Sequence, residues 1–142
     1  MFNNLLAYLV SRLSIGIKLH EHSVNIPYTK FNLKILSLLL EQGCLRSFYV
    51  DKNESIKSKI FIKVYLKYFA GQSVLKKIKL ISKPSLRVYW NFSTLANNFH
   101  RNNFQGFYVV SNKKGIYTST EILLLSSYLK RGSGEIILKI DF

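Results

Sequence analysis

The stretch IFIKVYLKYFAGQS, residues 60–73, contains the pattern that decides the fold class. Aliphatic side chains occupy every second position at its start: Ile60, Ile62, Val64 and Leu66. Aromatic residues and lysines fill the positions between them, and this period of two is typical of a strand with one buried face. The alternation ends at Gly71 and the small polar residues beside it. We therefore place a boundary between two halves of the chain after residue 70.

Helical and extended patterns alternate before this strand. Leucines and a valine recur at helical spacing over residues 5–13, and Gly16 is expected to end that helix. The extended stretch HSVNIP leads to a second helix, which Thr29 is expected to cap and Gly43 to end. After the strand pattern LRSFYV comes the strand described above. The first half, residues 1–70, is thus predicted as helix, strand, helix, strand and strand.

Strand patterns dominate the second half, residues 71–142. VLKKIKLI, SLRVYW, residues 107–110 and the terminal EIILKI are all predicted as strands. One helix is predicted from about residue 119 to 129, because Thr118 and Glu121 have capping-box spacing. STLANNFH permits a short helix capped by Ser93. The whole chain is therefore predicted to be α+β, with two small α/β halves.

Basic residues are abundant and unevenly distributed. The formal net charge is +14 over 142 residues, and 48% of the residues are hydrophobic, enough for a core. Between residues 55 and 120 there are twelve lysines and arginines and no acid. An ordinary solvated surface intersperses the two signs, and a field of one sign favours a polyanionic partner. The alternative left open is that the charge serves solubility alone.

The residue pattern argues against catalytic, metal-binding and membrane-spanning roles. The single cysteine, Cys44, excludes an internal disulfide framework and a cysteine-built zinc site, and we expect it in the core. Of the three histidines only His20 and His22 would share a strand face, so a third ligand is missing. Ser111 has no base and orienting acid in sequence reach. No apolar run approaches the roughly 20 residues that span a bilayer. We expect no cofactor, metal or small-molecule substrate.

The segment VVSNKKGIYTSTE, residues 109–121, is the first candidate for RNA contact. Its turn offers hydroxyl, amide and backbone N–H donors from Ser111, Asn112, Lys113, Lys114 and Gly115. Glycine permits close backbone approach, and small polar groups suit the shallow minor groove of RNA. The N–H groups at the next helix start favour phosphate unless the capping box engages them. A plain solvent-exposed hairpin is the alternative.

Aromatic residues next to basic residues form the second candidate for RNA contact. Arg87 lies two residues from Tyr89 in one predicted strand, and Tyr65 lies between Lys63 and Lys67 in another. Rings stack on bases or pack against sugars, while cations meet phosphates. For Tyr65 the alternative is an outer sheet face on which lysine stems lie over rings.

Three stretches together carry a resemblance to a known family: SVNIPYTKFNLKILSLLLEQG, YLKYFAGQSVLKKIKLISKPSLRVYW, and VVSNKKGIYTSTE followed by GSGEIILKI. In order and spacing the chain resembles the bacterial-type small-subunit ribosomal protein eight family from about Asn4 onward. The resemblance implies two α/β halves and direct binding to the central domain of small-subunit rRNA. It also implies that the main contact is the loop of Ser111, Asn112, Gly115 and Thr118.

Further family positions follow from the same resemblance. Ser133, Gly134 and Glu135 stand where the family has Gly-Gly-Glu, and Asn112 replaces its usual threonine. Residues 84–87 match its Pro-Gly-Leu-Arg with serine as the second residue, and Tyr89 matches its tyrosine. Arg12 and Lys30 match basic positions that the resemblance implies meet a second rRNA segment.

The resulting hypothesis is a non-catalytic constituent of the small ribosomal subunit that binds and stabilises rRNA beside neighbouring ribosomal proteins. An off-ribosome translational repressor that recognises an rRNA-like hairpin, and a peripheral membrane protein held by charge, are the alternatives. The 16 lysines against 5 arginines, with abundant Phe, Tyr, Ile and Asn, indicate AT-rich codons. No transit peptide is evident, so we expect synthesis inside a mitochondrion, with a plastid or bacterial cytoplasm as alternatives.

Overall fold

The computed structural model describes residues 2–52, 60–101, 105–124 and 134–142. Contacts divide the chain into two compact units, Met1–Lys77 and Ile78–Phe142. Helices and sheets occur in both units, which confirms the predicted α+β class. None of the helices in the described ranges is long and apolar enough to cross a membrane.

The first unit has the predicted order of elements followed by a small hairpin. These elements are α1 (Phe2–Lys18), β1 (Ser23–Pro27), α2 (Lys30–Glu41), β2 (Leu45–Asp51), β3 (Phe61–Leu66), β4 (Tyr68–Phe69) and β5 (Gln72–Ser73). Strand β3 lies between β1 and β2, and both pairings are antiparallel. Strand β4 pairs with β5 alone. The alternating stretch thus forms the centre of the first sheet.

Alternating burial along β3 follows the sequence pattern. Ile62, Val64 and Leu66 are at most 2% exposed, while the residues between them are half-buried. Ile60, predicted to share their face, precedes the strand and is 42% exposed. Leucines from one face of α1 and apolar residues of α2 complete the buried set: Leu6, Leu9, Leu13, Ile35, Leu36 and Leu39. Leu40, also predicted to face the core, is exposed, because one residue further along a helix points about 100° away.

Gly16 does not end α1, contrary to prediction. The helix continues to Lys18, and a Cβ at position 16 would lie 2.6 Å from Cγ1 of Val24 in β1. The missing side chain therefore lets the helix approach the strand closely. Packing between two elements requires this glycine, whereas the local sequence suggested a terminator.

Both ends of α2 agree with prediction. The Oγ1 atom of Thr29 accepts a hydrogen bond from the N–H of Asn32 at 3.0 Å, and Gly43 follows the helix with φ of 77°. Cys44 is buried, as expected for a core residue, and burial raises the pKa of its thiol to about 11. The hairpin of β4 and β5 is tied to this unit by the Tyr68 hydroxyl, which donates to the backbone oxygen of Glu21.

In the described residues of the second unit there are one sheet and two helices. Its elements, in chain order, are β6 (Lys77–Leu80), β7 (Tyr89–Trp90), α3 (Phe92–Arg101), β8 (Gly106–Asn112), β9 (Gly115–Thr118), α4 (Ser119–Leu124) and β10 (Gly134–Asp141). The sheet order is β6, β10, β8 and β9, and β7 also pairs with β10. Strands β8 and β10 form its centre. A cluster of Leu95, Tyr108, Val110, Ile122 and Ile136 packs the helices against one side of them.

Three details of this unit differ from the predictions. The predicted strand SLRVYW is reduced to β7, because the chain turns outward before it. The helix over STLANNFH is present, so two helices occur where one was predicted in the described residues of this unit. The N–H of Leu95 bonds to the backbone oxygen of Asn91 at 3.0 Å. Ser93 therefore lies inside α3 and does not cap it. Helix α4 begins where predicted, but residues 125–129 of that prediction lie outside the described residues.

Candidate nucleic-acid interface

The predicted basic turn is the tip of a β-hairpin. Asn112 of β8 pairs with Gly115 of β9, so Lys113 and Lys114 form a two-residue turn and are exposed. The sequence suggested that the chain passes from this turn straight into a helix. Strand β9 comes first, since Ile116 and Tyr117 favour a strand and pair back with β8. Two lysines therefore stand at the outer end of a paired, well-defined element.

Side chains of the hairpin stabilise its own turn. The Oδ1 atom of Asn112 accepts a hydrogen bond from the N–H of Lys114 at 2.8 Å. The Tyr117 hydroxyl donates to the backbone oxygen of Lys114 at 3.3 Å. Gly115 has φ of 142°, which side chains rarely adopt, although a Cβ there would make only ordinary contact with the Tyr117 ring at 3.6 Å. The backbone conformation therefore favours glycine at this position.

Three predicted residues from distant parts of the sequence form one row across the sheet. Glu135 of β10 pairs with Tyr89 of β7 on one side and with Ser111 of β8 on the other. Directly paired residues point to the same face, so these three side chains are neighbours. Tyr89 is 60% exposed, and Ser111 is half-buried. This row, continued by the turn of Lys113 and Lys114, is what we call the RNA row.

An acid lies at the centre of the RNA row and binds a predicted cation. Oε1 of Glu135 is 2.9 Å from Nη1 of Arg87 and accepts a hydrogen bond from the Ser82 hydroxyl at 2.6 Å. Arg87 remains 44% exposed in this ion pair. A guanidinium is planar, so this ion pair restricts the direction of its five N–H donors.

Gly134 and Thr118 are buried supports of this region. A Cβ at Gly134 would collide with Cγ1 of Val110, so β10 can approach β8 only with glycine there. Thr118 is fully buried, and its Oγ1 accepts from the N–H of Glu121 at 3.3 Å. A carboxylate oxygen of Glu121 accepts from the N–H of Thr118 in return at 3.2 Å, which is the predicted capping box. Ser133 lies outside the described residues.

The capping box decides the role of the helix start. It engages N–H groups that the sequence had offered to phosphate, and it places a carboxylate at that position. Since a negative charge there repels a second anion, the start of α4 is not a phosphate site. Anion contact in this region is left to the lysines of the turn.

The remaining predicted residues belong to the first unit. Arg12 is half-buried on α1, and its Nε has no hydrogen-bond partner in the described part of the chain. Lys30 is exposed as the first residue of α2. On the outer face of the first sheet Lys63 Nζ lies 5.8 Å from the centroid of the Tyr65 ring, so this lysine does lie over a ring.

The histidines do not converge on a metal site. His20 packs against Tyr68 and His22 against Tyr65, with ring centroids 5.9 Å and 5.4 Å apart. Over the described ranges no three His, Cys, Asp or Glu side chains meet as ligands.

Known sequences supply the identification. A family model described as Ribosomal protein S8 matches residues 4–139. The chain belongs to the ribosomal protein S8 family. It is 34% identical over 113 residues to small ribosomal subunit protein uS8 of Baumannia cicadellinicola, covering 80% of this chain and 82% of that protein. The uS8 of Ruthia magnifica is 30% identical over 135 residues, 95% of each chain. A protein named uS8c in Bigelowiella natans is 32% identical over 137 residues, 95% of this chain and 96% of its own.

One residue that contacts this candidate site was not identified from the sequence. Ser82 is 3% exposed and bonds to Glu135, yet it stands in a segment that looked like an ordinary turn before Pro84. Its only local signal is a small polar residue directly after a strand pattern. The partner of Ser82 lies 53 residues away, so the sequence around it does not indicate the contact.

Proposed function

We propose that this chain is a structural, non-catalytic constituent of the small ribosomal subunit that binds small-subunit rRNA directly. The observation that carries the proposal is the RNA row, in which Tyr89, Glu135 and Ser111 lie side by side next to two exposed lysines. Membership of a family whose relatives are named small ribosomal subunit proteins supports it. The central domain of the rRNA is the proposed target, with neighbouring ribosomal proteins as further partners.

Each residue of the row has a proposed part in binding. Ser111 and Asn112 contact 2′-hydroxyls and base edges in the shallow minor groove, and Lys113 and Lys114 neutralise flanking phosphates. Tyr89 packs against a sugar or base. The guanidinium of Arg87 adds donors whose direction Glu135 restricts, while Thr118 and Gly134 act as supports. The proposal that Ser133 takes part rests on the family resemblance alone.

A second rRNA segment is proposed to bind the first unit through Arg12 and Lys30. Lys30 is exposed for phosphate contact, whereas Arg12 is half-buried and its part in the proposal rests on the family resemblance. For the compartment we propose a mitochondrial ribosome, on composition alone. The relatives named above are uS8 proteins of Baumannia cicadellinicola and Ruthia magnifica and a uS8c protein of Bigelowiella natans, and co-sedimentation with small subunits from isolated organelles tests the mitochondrial assignment.

The test compares binding to a central-domain transcript of Baumannia cicadellinicola small-subunit rRNA with binding to a random RNA duplex of equal length. Replacing Ser111 and Asn112 with alanine removes hydrogen bonds worth about 1 kcal/mol each, so affinity for the transcript should fall at least about tenfold. Affinity for the duplex should change little. Matched control changes at the exposed Lys76 and Lys77 should weaken both RNAs alike.

Salt dependence provides the second readout of that experiment. The logarithm of wild-type affinity should fall with the logarithm of salt by about 0.7 to 0.9 per phosphate neutralised. Equal losses on both RNAs for the Ser111 and Asn112 changes would show that the row reads no structure. Specific binding by a protein that sediments away from small subunits would indicate the off-ribosome repressor instead.

A further inference from the structure

The segment of residues 82–88 is an outward loop in the edge of the second sheet. Before it, the N–H of Ile81 bonds to the backbone oxygen of Ile137 at 3.0 Å. After it, the N–H of Ile136 bonds to the backbone oxygen of Val88 at 3.0 Å. The chain therefore leaves β10 beside Ile137 and returns to it beside the neighbouring residue, Ile136. We call residues 82–88 the edge loop.

Ser82 closes the base of the edge loop. Its hydroxyl donates to Oε1 of Glu135 at 2.6 Å and accepts a hydrogen bond from the N–H of Val88 at 3.3 Å. The side chain is 3% exposed, so water competes little for these bonds. One buried hydroxyl thus joins the first residue of the loop to its last residue and to β10.

Glu135 holds the returning side of the same loop. The oxygen that accepts from Ser82 also accepts from Nη1 of Arg87 at 2.9 Å. At the tip, Lys83 and Leu86 exchange backbone hydrogen bonds of 2.9 Å and 3.1 Å around Pro84 and Ser85. Base and tip are therefore both closed, and proline further restricts the backbone.

The closed loop presents apolar surface outward. Leu86 is 67% exposed at its tip, and Tyr89, the residue after its return, is 60% exposed. Lys83 is exposed as well, and the carboxylate of Glu135 is already paired with Arg87. Positive charge around an apolar tip is complementary to a nucleic-acid backbone, where ribose carbons lie between phosphates.

We propose that Leu86 is a further RNA-contacting residue, packed against ribose in the shallow minor groove, and that Ser82 and Glu135 are the residues that position it. The loop is ordered before binding, so little conformational entropy is lost when RNA docks. This inference rests on the proposed rRNA function and extends the RNA row by one contact.

The experiment measures binding to the same central-domain transcript for Leu86→Ala, Ser82→Ala and the double variant. Each single change should weaken binding about fivefold, and the double variant should be little worse than either, because Ser82 acts through the loop. Ser85→Ala is the matched control, since Ser85 is exposed in the same turn. Its affinity should stay within about twofold of wild type, and Leu86→Met should restore most of the binding.

Several outcomes would overturn the inference while the proposed function stands. In one such outcome the Ser111 and Asn112 changes weaken binding to the transcript as proposed, while Leu86→Ala keeps the full affinity of the wild type. If the fold-losses of affinity in the two single variants multiply in the double variant, Ser82 does not act through Leu86 and has a merely structural role. If Leu86→Ala binds RNA normally but is incorporated less into small subunits, Leu86 contacts a neighbouring protein instead of RNA.

If Ser82→Ala does not fold, the affinities of Leu86→Ala and Leu86→Met decide whether Leu86 contacts RNA. Absence of specific binding by the wild type would instead refute the proposed function itself.

Discussion

The two sheets differ in how burial runs along their central strands. In β3 of the first unit buried and half-buried residues alternate, so one face carries the core. In β8 of the second unit five consecutive residues are buried, and the burial stops at Ser111. Polar residues of the candidate site thus begin where the apolar run ends. Burial therefore separates the two faces of β3 in the first sheet, whereas in β8 of the second sheet it separates one end of the strand from the other.

Glycine substitutions should produce the largest difference between the two units. A Cβ at Gly106 in β8 would collide with the backbone oxygen of Ile140 in β10, and neither strand can shift without losing its pairing. We expect Gly106→Ala to lower the free energy of unfolding by about 3 kcal/mol or more. Urea denaturation followed by circular dichroism measures the change.

The matched variant in the first unit is Gly16→Ala. Its Cβ would meet a side-chain atom, Cγ1 of Val24 at 2.6 Å, and a helical alanine recovers about 1 kcal/mol relative to glycine. The net loss should therefore be about 1 kcal/mol or less. Similar losses of unfolding free energy in the two variants would contradict the expectation that a clash with backbone in the second sheet costs more than a clash with a side chain in the first unit.

The same contrast explains how much of the fold was predictable. Alternation over residues 60–67 indicated β3 correctly, because one-faced burial leaves a period of two in the sequence. Thr29 and the pair of Thr118 with Glu121 were recognised because caps are local. Gly16 was wrongly predicted to end α1, because the need for glycine there comes from Val24 in another element. The SLRVYW strand was predicted too long, because its length depends on where β10 pairs with it.

The candidate site was predictable as a list of residues but not as an arrangement. The basic turn and the Arg87–Tyr89 pair were visible locally, and the resemblance to the S8 family added Glu135. Their placement in one row depends on the register of β7, β10 and β8, which no short stretch encodes. Buried Ser82 was missed for the same reason.

Helix caps give a second, smaller contrast between the units. Thr118 is fully buried and takes part in a reciprocal capping box, so Thr118→Ala should destabilise by about 2 kcal/mol. Thr29 makes a single capping bond at 3.0 Å and is half-buried, so Thr29→Ala should cost about 1 kcal/mol. Thermal unfolding measures both. Serine at each position keeps the hydroxyl and should restore most of the loss, and a larger effect at Thr29 would reverse the expected order.

The smallest effect concerns alkaline pH and belongs to the first unit alone, because Cys44 is the single cysteine of the chain. Burial raises the pKa of its thiol from 9.0 to about 11. As pH rises past 9.0 the unfolded chain releases this proton while the folded chain keeps it, so stability falls between these two pKa values. By pH 9.5, where lysines are still largely protonated, the unfolding free energy should be lower than at pH 7 by roughly 1 kcal/mol.

Cys44→Ala is the control, because it has no thiol to titrate and its unfolding free energy should change less over the same interval. Parallel pH profiles for the two proteins would mean that the thiol is not held away from water, and the one-faced core of the first unit would then be less well closed than its burial pattern implies.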